Sequence, residues 1–250
     1  MKIPNMITHA LLSTNSPYVC IPRSRNTPPI IAFGGTQSVS DIFQYDLNIK
    51  PKKWPASVCT IADSDIIQTV TKNTEFADDD SEYMTYGYVH AGFASRTKLI
   101  LENITEFVEK NDRFILGGHS LGGSCAILAA SMLVSCGKRV EHIYTFGVPR
   151  SVCKSFVKTY KYQDLWDKTT NYVTPYDPIV NLIPKLYRNV GKFELLEFDN
   201  KKKWLNHDLI TYHTLIKDRK DDKNSIYIMH IIINNINITH VIEERLLAVD

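Results

Sequence analysis

The sequence has no long hydrophobic run. Its longest apolar stretch, Ile226 to Ile233, is interrupted by His230 and falls far below the ~20 residues that span a bilayer, so a soluble chain is expected. The stretch from Ile7 to Leu12 is broken by Thr8 and His9, too short and too polar for a signal-peptide core. A cytoplasmic location is therefore expected, with secretion by another route left open. Cysteine is sparse: Cys20, Cys59, Cys125, Cys136 and Cys153 are an odd number with no CxxC pair. That spacing argues against zinc and thioredoxin-like chemistry and for buried free thiols in a reducing compartment. An excess of one charge is also missing, with 29 Lys and Arg against 27 Asp and Glu and a net charge of +2. Basic residues are scattered among acidic ones, so no nucleic-acid partner is expected. Repeats and low-complexity tracts are absent.

What is present suits one domain of 250 residues, with 44% hydrophobic residues to build its core. Strand-like and helix-like segments alternate, the pattern of an α/β fold. Ile30 to Phe33 reads as a buried strand ended by Gly34-Gly35. Ile100, Leu101, Ile104, Phe107 and Val108 recur at helical spacing up to Asn111-Asp112, and Arg113 to Leu116 is the next strand. Residues 121–135 are apolar nearly all round, as in a helix packed on a sheet. Val140 to Phe146 and Asn171 to Thr174 complete the strands. The stretches Thr74 to Ser81 and Asp218 to Lys223 read as solvated loops, with Asp78-Asp79-Asp80 a loop surface and not a metal site. The tail over 225–250 carries no clear pattern.

Gly118-His119-Ser120-Leu121-Gly122 has G-x-S-x-G spacing, a weak signal by itself. It lies where an apolar strand passes into an apolar helix, which is where a nucleophile elbow belongs. The turn exposes the Ser120 hydroxyl, the glycines allow close passage of strand and helix, and the helix N-terminus favours negative charge. No Lys-Ser or Lys-Thr follows at P-loop spacing. A serine needs a base and an orienting acid, in the chain order Ser, Asp or Glu, His. Asp177, in Pro175-Tyr176-Asp177-Pro178 just past a strand, fits the acid; an Asp before Pro is also a common turn residue. His207, His213, His230 and His240 lie downstream of it.

These segments resemble the class 3, fungal-type lipase family. The hexapeptide Gly118 to Gly123 has the usual form of its elbow, and Val89-His90-Ala91-Gly92-Phe93 matches its V-H-x-G-F. Thr145 to Arg150 is similar to its T-F-G-x-P-R, and Asp177-Pro178-Ile179-Val180 with Pro184 to the segment holding its catalytic Asp. Tyr187 to Gly191 resembles its Y-x-H-V-G hairpin, and an N-terminal helix ending near Tyr18-Val19-Cys20 is expected as well. The resemblance implies an α/β-hydrolase fold, a mostly parallel sheet flanked by helices, and no metal or organic cofactor. It implies an oxyanion hole from Thr36, after Phe33-Gly34-Gly35, with the Leu121 N–H as second donor; Gly34 stands where the family has Arg. Ser38 to Leu47, with Val39, Ile42, Phe43 and Leu47 at helical spacing, fills the place of a lid and would equally suit a fixed surface helix. His90 is read as structural.

The base is expected to be His207, which reads as opening a helix with Leu209, Ile210, Tyr212 and Leu215 as its apolar stripe. The step from His207 to Tyr212 also resembles an H-S-x-x-x-Y of some members. His213 falls about 9 Å further along by helical rise, so both histidines cannot meet one serine. The expected function is a serine carboxylic-ester hydrolase using Ser120, Asp177 and His207, with an acyl lipid as substrate, at a lipid–water interface. An esterase or phospholipase A on other acyl esters, and an inactive lipase-like binding module, are the alternatives. Lys201-Lys202-Lys203 reads as a solvated loop in preference to a contact with anionic lipid.

Overall fold

A computed structural model describes residues 17–24, 27–35, 49–55, 86–198 and 203–217. Among these residues the central sheet has six strands: β1 (Tyr18–Ile21), β2 (Ile30–Phe33), β5 (Arg113–His119), β6 (Arg139–Phe146), β7 (Thr169–Val173) and β8 (Lys192–Leu195), side by side in that order. β1 runs antiparallel to β2 and every other pairing is parallel. A separate antiparallel pair joins β3 (Pro51–Pro55) to β4 (Tyr86–His90).

Alternation along the strands sends side chains to two faces, and both faces are covered. Ile31, Phe33, Phe114 and Leu116 belong to one hydrophobic cluster, with helices α1 (Ala91–Asn103), α3 (Leu121–Ser135) and α4 (Lys154–Tyr162). Ile30, Ala32, Ile115, Tyr144, Phe146 and Tyr172 belong to the other, under Leu209, Tyr212 and Ile216 of α6 (Leu209–Lys217). Parallel strands buried on both faces read as unbroken apolar runs, which is why Ile30 to Phe33 is visible as a strand. α3 is buried along nearly its whole length, so its all-round apolar character reflects a helix lodged between the sheet and α1.

Several expectations need correction. Tyr18 to Cys20 lies in a strand, and the helix expected to precede it falls outside the described residues. Pro17 precedes the strand, and the β-branched and aromatic run pairs with β2 as an edge strand, Tyr18 opposite Phe33. The helical stripe around Ile100 is two helices, α1 and α2 (Thr105–Glu109), broken at Ile104 with φ −109° and ψ 16°. There the Thr105 hydroxyl takes the carbonyls of Leu101 and Glu102 at 3.2 and 2.9 Å, a side chain competing with the helical backbone. Ile100, Leu101, Ile104 and Val108 still share one buried stripe, so the periodicity survives the break. Tyr187 to Gly191 holds a single antiparallel bridge, Arg188 to Val152, and then feeds β8, parallel to β7. Cys20, Cys125, Cys136 and Cys153 are free, but only Cys125 is fully buried; Cys59 lies outside the described residues.

Candidate active site

β5 stops at Ser120 because the backbone turns there. Ser120 has φ 56° and ψ −127°, a strained region for a residue with a side chain. Its N–H donates to the Phe146 carbonyl at 2.9 Å and its own carbonyl accepts from Gly123 at 2.9 Å, so the turn opens directly into α3. Strand and helix pass so closely that a Cβ on Gly118 would stand 2.1 Å from the Gly122 carbonyl oxygen, and one on Gly122 2.1 Å from that of Phe33. The two outer glycines of the motif are therefore steric requirements.

Three side chains from three segments meet at this edge of the sheet. Ser120 Oγ lies 2.9 Å from His207 Nε2. His207 Nδ1 lies 2.9 Å from Asp177 Oδ2 and 3.0 Å from Oδ1. The Asp177 carboxylate is wholly shielded from solvent, and the His207 side chain is partly exposed. Asp177 Oδ1 also accepts from the Ile179 N–H at 2.8 Å. Gly147, with φ +60°, backs the pair: a Cβ there would stand 2.6 Å from Asp177 Oδ2 and 2.9 Å from His207 Nδ1.

Two further side chains, to which sequence reasoning assigns no part in the site, adjoin it. The Tyr212 hydroxyl donates to Asp177 Oδ2 at 2.7 Å and accepts from the Thr174 N–H at 3.2 Å. Burial first, and then the adjacent carboxylate, raise its pKa well above the usual phenol value, so it stays a donor. His119 is buried, its ring 4.6 Å from that of His207, and its Nε2 lies 2.9 Å from the His207 carbonyl oxygen. That oxygen only accepts, so Nε2 carries the proton and donates. Burial, with His207 second, holds His119 well below the usual imidazole range; the ring is neutral. His119 stands inside the elbow motif and Tyr212 five residues after His207 in the H-S-x-x-x-Y-like spacing, so each has a signal in the sequence. Thr174, whose hydroxyl holds the Asn206 carbonyl at 2.7 Å, has none.

His207 does not open a helix. It ends the short α5 (Lys203–His207), and α6 begins two residues later. The Asp208 N–H closes on the Leu205 carbonyl at 3.3 Å while the Asp208 carbonyl accepts from Tyr212 at 3.1 Å, so one helix ends and the next starts around Asp208. His213 is carried on α6. Leu121, buried, opens α3, where the first amides lack helical acceptors. His90 caps α1, its Nδ1 accepting from the Phe93 N–H at 3.5 Å, with its ring stacked on Phe93, a structural post. Thr36, Ser38 to Leu47, Asp78 to Asp80, Lys201, Lys202, His230, His240 and the 225–250 tail lie outside the described residues. Among the described residues no helix is long and apolar enough to cross a membrane, and no cluster of three metal-ligating side chains occurs.

Comparison with known proteins agrees with this fold. A lipase from Rhizopus microsporus var. chinensis superposes with a TM-score of 0.51 at 19% identity, over 73% of this chain and 57% of that one. That likeness is one of fold, and the mostly parallel sheet flanked by helices is an α/β-hydrolase fold. The toxin TseL of Vibrio cholerae serotype O1 is 36% identical over 77 residues, 30% of this chain and 12% of the toxin. The chain thus spans little more than half of the first protein and a small part of the second. The class 3 lipase family model matches residues 30–187, well over half of the 250 residues; the chain belongs to the class 3 lipase family.

Proposed function

We propose that this protein hydrolyses carboxylic esters of acyl lipids through an acyl-enzyme on Ser120. The observation that carries the reading is the hydrogen-bond chain Ser120 Oγ–His207 Nε2 and His207 Nδ1–Asp177, with both links near 2.9 Å. His207 Nε2 takes the Ser120 proton as Oγ attacks the ester carbonyl. Asp177 keeps the ring in the tautomer with Nδ1–H and stabilises the imidazolium that forms. The Leu121 N–H, at the start of α3, and Thr36 donate to the oxyanion. The imidazolium returns its proton to the leaving alcohol; water, activated by the same nitrogen, then releases the acid. A phospholipid, a glyceride and a soluble ester all contain the bond this sequence of steps breaks. An inactive binding module would have no use for a hydroxyl held in strained backbone against a His–Asp pair.

A fluorophosphonate probe tests this directly: Ser120 is the one serine it labels, and Ser120→Ala removes the label. Turnover of a p-nitrophenyl ester should fall by about 10⁴- to 10⁶-fold in that variant. Retention of more than a few per cent of activity would sink the assignment. A panel of triglyceride, phospholipid and short soluble esters then sets the substrate.

A further inference from the structure

The loop after β6, the long connection from β7 to β8 and β8 itself border a second site. Val152 and Arg188 form an antiparallel bridge: the Arg188 N–H donates to the Val152 carbonyl at 2.7 Å, and the Ser151 and Val152 amides donate to the Arg188 carbonyl at 3.0 and 3.2 Å. This fixes Arg150 beside the 181–188 segment. Arg150 Nη1 donates to the carbonyls of Asn181 and Ile183 at 3.2 and 2.9 Å, and Nη2 donates to Asn181 Oδ1. All three acceptors are neutral, so they immobilise the guanidinium without cancelling its charge.

Next to it opens a cavity of about 520 Å³. Lys185 and Arg188 add two exposed cations, and Val180 and the half-exposed Phe193 give it an apolar wall. The described residues that line it include no carboxylate. Among the described residues, none of the three cations is ion-paired. Several cations around one small cavity suit an anion with several oxygens, and an arginine fork is matched by phosphate geometry. Chain connectivity links the cavity's lining to the Ser120–His207–Asp177 cluster. Gly147, which backs Asp177 and His207, is on the same loop as Arg150, and Asn181 is on the loop that carries Asp177.

We propose that this cavity is a phosphate-binding subsite and, resting on the ester-hydrolase reading above, that it receives the phosphate of a phospholipid whose acyl ester meets Ser120. Free phosphate is the other source of the same chemistry. The test uses full-length protein carrying Ser120→Ala, titrated with inorganic phosphate, with dihexanoyl phosphatidate below its aggregation point, and with neutral dihexanoylglycerol. Phosphatidate should bind at least tenfold tighter than dihexanoylglycerol. Lys185→Gln with Arg188→Gln should weaken it by roughly tenfold or more, since each is a charge-assisted contact. Lys98→Gln with Lys110→Gln, an equal change of net charge on α1 and just beyond α2, should leave it unchanged. Tight binding of inorganic phosphate alone, with the same sensitivity, keeps the subsite and overturns its lipid role. No loss in the first pair, or an equal loss in the second, overturns the subsite. Fluorophosphonate labelling of wild type separates the two readings: labelled protein with insensitive binding loses only the subsite, and unlabelled protein with sensitive binding loses only the hydrolase.

Discussion

Asp177 is held by more than its bond to His207. Tyr212 donates to the same Oδ2 that faces His207 and is itself fixed by the Thr174 N–H. Its ring packs edge-on against His119 and Phe146, so Tyr212→Phe keeps the packing and deletes only the hydroxyl. The buried Thr174 N–H then loses its acceptor and the carboxylate loses a donor. Stability should fall by about 1–3 kcal/mol in urea unfolding. A hydrogen bond to a charged group is worth about 1.5–3 kcal/mol, so turnover of a soluble ester should drop roughly 10- to 100-fold if the whole bond serves the transition state. The loss should appear equally in kcat and kcat/KM. A raised KM with unchanged kcat would instead make Tyr212 part of the substrate pocket.

At the scale of elements, the elbow works because β2, β5 and α3 touch backbone to backbone. Gly122 and Gly123 are adjacent, yet a Cβ on Gly122 would meet the Phe33 and Gly34 carbonyl oxygens at 2.1 and 2.6 Å, whereas one on Gly123 meets the Gly118 carbonyl oxygen and the side chains of Val148 and Thr145 at 3.1–3.2 Å. Gly122→Ala must separate strand and helix and should abolish soluble expression or lower Tm by more than 10 °C, a cost of roughly 2.5–5 kcal/mol or more. Gly123→Ala asks its neighbours to give by tenths of an ångström and should shift Tm by less than half as much. Equal shifts would mean that the close passage does not constrain the elbow. The same elements show what is legible in a sequence. α3, β2 and β5 are visible because each is buried on all sides or on both faces, so its apolar run is continuous, whereas β6 and β7 are interrupted by polar residues such as Glu141, His142 and Asn171. β8 is exposed along its length, and its pairing with β7 comes from neighbours far along the chain. The start of α6 is displaced by two residues in a reading of periodicity, because Trp204-Leu205-Asn206 has the same apolar and helical character as the stretch from Leu209 onward. The break between the two depends on backbone bonds at Asp208. Ser120 and Asp177 stand at strand ends that sequence can find. His207 lies 2.9 Å from Ser120 Oγ, and it closes α5 instead of opening α6.

Across the whole molecule, the sheet delivers the three site segments to one edge while its two covered faces keep that edge rigid, and His119 links the two faces at that point. It extends β5 and bonds the His207 carbonyl, joining the elbow to the α5–α6 layer on the opposite face from α3. Its neutral burial makes the fold sensitive to acid in a defined direction. Above the unfolded value of about 6.5, His119 is neutral in both states and adds no pH dependence. Below it, the unfolded chain binds a proton there and the folded protein does not, because burial, and His207 beside it, hold its pKa well down. Stability therefore falls as pH drops, with a limiting slope of about 1.4 kcal/mol per unit from this group, until the folded value is reached. His119→Gln retains an amide donor and loses the titration. It should be less stable than wild type at pH 7.5, where the His207 carbonyl bond is strained or lost, and the gap should narrow steadily below pH 6.5. Urea unfolding of both proteins between pH 7.5 and 5 measures the difference, in which the other titrating groups largely cancel. Parallel curves over that range would mean that His119 takes up its proton inside the folded protein, and the buried neutral link between the elbow and His207 would have to be abandoned.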